Sequence, residues 1–132
     1  MRVTIHVEIG DYHNTSYKKL VLSWMREKYP HLTTFDFDSH SEATVMNYAI
    51  DLLKQGDEII IILDQIPGGN GKPLLRFMDT LSRSRTKSVL IIYNGEDELL
   101  TKMLSAFPKE KVLRNLDVPA QKEKIKEFFR LD

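Results

Sequence analysis

Two short segments constrain this chain more than anything else in it. Glu58-Ile-Ile-Ile-Ile-Leu63 and Ser88-Val-Leu-Ile-Ile-Tyr93 are unbroken apolar runs rich in β-branched residues. Successive side chains of a strand point to opposite faces, so a strand with one wet face alternates apolar with polar residues. A run that is apolar at every position needs cover on both faces, which parallel sheets flanked by helices supply. The two runs are therefore expected side by side at the centre of such a sheet.

The remaining sequence keeps a matching rhythm. Strand-like stretches at 3–9, 32–37, 58–63, 88–93 and 111–116 alternate with five helical patterns, and the connections between them are short. The first helix is expected over 15–29, with Tyr17, Leu20, Val21 and Trp24 on one stripe and Pro30 as its stop. Ser39 and Glu42 have the spacing of a capping box ahead of the second, whose face is Val45, Met46, Ala49, Leu52 and Leu53 and whose stop is Gly56. The others are expected over 73–82, 96–106 and 119–129. Right-handed crossovers leave few ways to wind five such units. The expected fold is a single α/β domain of three αβα layers, its five-stranded, mostly parallel sheet in the flavodoxin-like order 2-1-3-4-5.

Charge excludes some functions. Lys and Arg number 19 and Asp and Glu 19, so the chain lacks the global basic field that steers nucleic-acid or anionic-membrane binders. Neither partner is expected. The longest wholly apolar run, at 59–63, is far short of the roughly 20 residues that span a bilayer. Met1-Arg2 leads straight into the first strand pattern without an export leader, and cytoplasmic residence is the default expectation.

The first two strands break the all-apolar rule. Thr4, His6 and Glu8 alternate with Val3, Ile5, Val7 and Ile9, and Thr34 and Asp36 alternate with Phe35 and Phe37. Thr4, His6, Glu8, Thr34 and Asp36 are thus expected to form a polar, partly accessible face, a candidate interface for a protein partner or for self-association.

In an open parallel sheet, ligands bind beyond the carboxyl ends of the strands. The loops there carry the candidate ligand-binding residues Asp11, His13, Asp38, Asp64, Gly68, Gly69, Gly71, Lys72 and Asn94, with His40 beside them. The segment at 64–73, Asp-Gln-Ile-Pro-Gly-Gly-Asn-Gly-Lys-Pro, follows the most apolar strand. Its glycines let the backbone approach a ligand, and the helix start at Pro73 offers free N–H groups to a small anion. A tight turn uses the same residues. It is not a P-loop, because Ile66 and Pro73 stand where a glycine and a Ser or Thr are required. His13 and His40 with Asp11 and Asp38 could gather around a divalent ion, since imidazole and carboxylate make a reasonable Zn ligand set. No helical pair of histidines supports it, and no metal is predicted. There is no Cys and no nucleophile elbow, so no catalytic residue is assigned. The basic run at 83–87 falls at the opposite edge of the sheet, where Arg offsets the negative end of a helix dipole.

Asp64, Pro67 and Gly71 resemble the phosphoacceptor segment of response-regulator receiver domains, in which a buried strand ends in Asp and a Pro and a Gly precede a helix. The resemblance implies a regulatory domain phosphorylated on Asp64, with Mg²⁺ held by Glu8 or Asp11. The pattern departs where a receiver carries Ser or Thr after its fourth strand and Lys after its fifth: here stand Tyr93-Asn94 and Leu116-Asp117. Asp64, Gly68, Gly69 and Pro73 are also similar to the mannose-type phosphotransferase IIA domain, whose phosphorylated His ends its first strand; His13 is displaced from that place and His6 lies inside the strand.

With a clean architecture and incomplete catalytic patterns, the expected function is a non-catalytic regulatory or protein-binding module that needs no cofactor. The alternatives are a receiver-type phosphoacceptor and a small nucleotide- or phosphate-binding enzyme using 68–72.

Overall fold

The computed structural model describes residues 1–10, 19–66, 71–84 and 88–132. Strands β1 (Arg2–Ile9), β2 (Thr33–Asp38), β3 (Glu58–Gln65), β4 (Ser88–Asn94) and β5 (Val112–Arg114) alternate with helices α1 (Leu20–Lys28), α2 (Ala43–Gln55), α3 (Leu75–Ser82), α4 (Glu98–Leu104) and α5 (Val118–Phe129). Every neighbouring pair is parallel, in the order β2-β1-β3-β4-β5. This is the flavodoxin-like arrangement.

Two apolar layers hold the sheet between its helices. Val3, Ile5, Val7, Ile59, Ile61 and Leu63 pack against Leu53 of α2, Phe77 of α3 and Leu100 of α4. Ile60, Ile62, Leu90 and Ile92 point the other way, onto Val21 and Met25 of α1 and Ile125 and Phe129 of α5. Ile60, Ile62 and Ile91 are fully buried and Leu90 nearly so, as the continuous apolar runs require. No helix among the described residues is long and apolar enough to cross a membrane.

Local departures have local causes. The capping box does not form: Glu42 is the residue before α2 and makes no side-chain cap. Ser39 is drawn instead to Gly10, donating from Oγ to its carbonyl and accepting from its N–H, both at 3.2 Å. Pro73 lies in a 3₁₀ turn, Lys72–Leu74, that leads into α3, a place where its missing N–H costs nothing. β5 has three residues instead of six, because Asn115 takes a positive φ of 54° and turns the chain away from β4.

The polar face of β1 is not accessible. Thr4, His6 and Glu8 are 0, 3 and 4% exposed, whereas Thr34 and Asp36 on the edge strand are half-buried. The cause is α1 and the residue that precedes it: Lys19, at the helix N-cap, and Arg26 both pair with Asp36 while Arg26 also donates to Thr34. Residues seven apart share a helix face, so one face of α1 closes over the polar edge with cations where the alternation had implied an open surface. The expected accessible face is therefore corrected: Thr4, His6 and Glu8 are covered, and only Thr34 and Asp36 stay partly accessible.

Candidate functional site

Register brings four polar residues into a row where the strands end. Glu8 stands opposite Asp38 on β2 and Asp64 on β3, and Asp64 stands opposite Asn94 on β4. Three carboxyl groups on adjacent strands repel unless each finds a partner. Asp38 turns to its own loop, accepting from the His40 N–H at 2.8 Å and from the Ser41 hydroxyl at 3.4 Å. Glu8 is buried.

Asp64 is engaged on both oxygens. Oδ2 lies 2.6 Å from His6 Nε2, and Oδ1 accepts from Asn94 Nδ2 at 2.6 Å. Asn94 in turn accepts the Leu116 N–H on its own oxygen at 3.1 Å, which ties the connection between β5 and α5 into the same network. Partial burial pushes the Asp64 carboxyl upward, but the hydrogen bonds of His6 and Asn94, with the electrostatic attraction of His6, outweigh it and hold the group below its ordinary 3.8. Asp36 is likewise lowered: burial raises it, and the bonds and charges of Lys19 and Arg26 win.

His6 meets its partner on one side only. Its Nδ1 is buried without a hydrogen bond, as is Thr4 Oγ1, an arrangement that forfeits solvation without replacing it. His6 and Asp64 line a cleft of about 190 Å³ together with Lys19, Gln121 and the apolar Leu20, Val21 and Val118. Gln121 is itself buried and donates to the Leu116 carbonyl at 2.9 Å. The cleft has a carboxylate, an imidazole and a cation already paired elsewhere, so it suits a small hydrogen-bonding molecule better than a bare anion.

On the far side of the sheet, Gln65 Oε1 accepts from the Tyr93 hydroxyl at 2.6 Å and from the N–H groups of Glu96 and Asp97 at 3.2 and 3.1 Å. One amide thus shapes the whole turn before α4. Asp97 caps that helix through Leu100, and Asp117, where a receiver has its lysine, caps α5 through Ala120 at 2.8 Å.

Of the residues singled out from the sequence, the fold joins Asp64 to Asn94. Asp38 serves its own turn two strands away. Gly71 packs against Leu100, where a Cβ would meet Leu100 Cγ at 2.5 Å, and Lys72 is exposed at the start of a turn. Asp11, His13, Gly68 and Gly69 lie outside the described residues. Among the described residues, no three His, Asp or Glu side chains gather as metal ligands. His6 was singled out only as part of a candidate interface, and Lys19, Gln65 and Gln121 were not singled out at all. His6 had a signal, since it shares a strand face with Glu8, but the two glutamines and Lys19 depend on helix placement and loop paths.

No family model matches the chain, and no curated protein matches it in sequence. A solved structure described as an NADPH-quinone reductase from P. pentosaceus is similar in outline, with a TM-score of 0.49 and 14% identity over 95% of this chain and 93% of that one.

Proposed function

We propose that this domain is a non-catalytic regulatory module that works by binding a protein partner, and that Asp64 is a structural latch within it. The observation that carries this reading is the engagement of both Asp64 oxygens, at 2.6 Å each, by His6 and Asn94. A phosphoacceptor carboxylate must offer an oxygen to phosphorus, and the product gains nearly two negative charges that need a metal, a lysine and a hydroxyl around them. Here the neighbour in register is Glu8, another carboxylate, and the residue at the lysine position is the helix cap Asp117. Mg²⁺ held by Glu8 or Asp11 belongs to the receiver alternative. Among the described residues the Asp64 carboxylate that would face the ion already accepts from His6 and Asn94.

Amide NMR spectra recorded with beryllofluoride and Mg²⁺ test the reading. The expected result is no saturable shift at Asp64 or along β4. Shifts that saturate, spread from Asp64 to Asn94 and vanish in Asp64→Asn would replace the binding module with a receiver.

A second reading, a module that senses a small molecule, is favoured by one observation: His6, whose Nδ1 is buried without a partner, lines the cleft beside Asp64. A thermal-shift screen with nucleotides, flavin and small polyols checks it, since a ligand of the native state raises the melting temperature with concentration. A flat response across the screen removes this second reading.

A further inference from the structure

The open edge of the sheet at β5 carries a groove that the Asp64 network does not touch. β5 pairs with β4 at Ile91–Val112, Ile92–Leu113 and Tyr93–Arg114, and no described strand pairs with its other side. Asn115 donates its N–H to Tyr93 at 2.9 Å, so the alternation of a strand turns the peptide groups of Arg114 outward. Beside this edge lies a cavity of about 360 Å³ with a floor of Leu104, Phe107 and Val112 and with Lys109 and Arg114 at its rim.

The rim is unbalanced in charge. In a chain with 19 cationic and 19 anionic side chains, the stretch at 109–114 reads Lys-Glu-Lys-Val-Leu-Arg. Some cations elsewhere are matched, as in Arg2 with Glu58, Arg26 with Asp36 and Arg130 with Glu58. Among the described residues, Lys109, Lys111 and Arg114 have no carboxylate partner. Arg114 instead donates to the Gly95 carbonyl and the Thr101 hydroxyl at 3.2 and 3.3 Å and lies over the Tyr93 ring. No carboxylate lines the cavity.

We propose that the β5 edge and its groove bind an extended acidic segment of a partner protein, one apolar side chain entering between Leu104, Phe107 and Val112 while flanking carboxylates meet Lys109, Lys111 and Arg114. Outward peptide groups supply the strand-addition contacts, the apolar floor supplies an anchor, and the unmatched cations select an acidic sequence over a neutral or basic one. The proposal rests on the binding-module reading and names its partner class.

The test uses the whole chain and a labelled eight-residue peptide alternating Glu or Asp with Leu or Phe, against the same peptide with Lys in place of each acid. The acidic peptide is expected to bind saturably, with amide shifts at 101–115. In the double variant Lys109→Glu/Lys111→Glu, affinity should fall about tenfold or more, and the wild-type affinity should weaken as salt is raised. Lys109 is exposed and Lys111 half-buried, and an unchanged far-ultraviolet spectrum and melting temperature establish that the variant is folded. Equal binding of the basic peptide, shifts centred elsewhere, no saturation at millimolar peptide, or a dimer formed through this edge would each overturn the assignment. If the peptide fails while the beryllofluoride spectra stay unchanged, the binding module survives and only this surface is lost; a beryllofluoride response removes the module itself.

Discussion

His6 and Asp64, 58 positions apart in sequence, meet at 2.6 Å across the β1–β3 pair, and the two ends of that contact differ in their access to water: the His6 side chain is 4% exposed and the Asp64 side chain 39%. Asp64 keeps Asn94 when His6 is lost, and it can also be solvated. Among the described residues, His6 has no second hydrogen-bond partner.

This asymmetry predicts unequal mutants. Asp64→Ala strands a buried imidazole with neither nitrogen paired and should cost about 1–3 kcal/mol. His6→Leu replaces a poorly satisfied polar group with an apolar one of similar size, and should cost less. The double variant should lie close to His6→Leu alone, so the two losses do not add. Urea unfolding of the three variants measures this, and equal, additive losses would show that the contact carries no energy.

Acid should act on the same residues. The folded-state values of Asp64 and Asp36 lie below their ordinary 3.8, so the native state binds fewer protons than the unfolded chain in that range. Their contribution is complete above about pH 4 and is lost as the pH falls through the lowered folded values. Asp36→Asn should flatten the acid limb of stability more than Asp64→Asn, because the more exposed Asp64 is better screened by solvent. Urea midpoints taken at intervals between about pH 6 and about pH 2.5 check both the direction and the order.

The doubly covered strands should be intolerant of cavities. Ile62 is fully buried beneath α1 and α5, and Ile62→Ala should cost about 2–5 kcal/mol. Leu75, 45% exposed, serves as the control, with Leu75→Ala expected within about 0.5 kcal/mol of the parent. Thermal and urea melts of both variants make the comparison.

Gly71 is a glycine for reasons of space. Its φ of −81° is open to any residue, so Gly71→Ala would ordinarily gain about 0.4–1 kcal/mol through the unfolded state. The new Cβ would sit 2.5 Å from Cγ of the fully buried Leu100, and that overpacking should dominate with a net loss of about 1–3 kcal/mol. Gly71→Ala combined with Leu100→Ala tests the cause: adding the first change to the second should cost much less than it does alone.

The buried centre was legible because it follows from side-chain period, and the strand order because right-handed crossovers leave few ways to wind five βα units. The run at 58–63 is apolar at every position, and only a strand covered on both faces satisfies it. The end of α1 at Lys28, with the non-helical Tyr29 as its C-cap just before Pro30, follows from proline's restriction of the residue that precedes it. The capping box was misread because Ser39 had a tertiary rival, the backbone of Gly10, that no local window contains. Asp64 could be singled out by its place at the end of β3, but its partners could not.

What the sequence determined by itself is therefore the set of alternating faces: which residues of each segment point together, and which segments need cover on one side or two. What the tertiary structure alone decided is which element supplies that cover. The alternation of Thr4, His6 and Glu8 marks a polar face, and nothing within ten residues of it says whether water or a helix lies above. Lys19 at the start of α1 and Arg26 within it settle it by pairing with Asp36, and the parallel register settles that the carboxylate beside His6 is Asp64. Periodicity is a property of one segment, whereas burial and charge pairing belong to two, and only the fold brings the second segment into place.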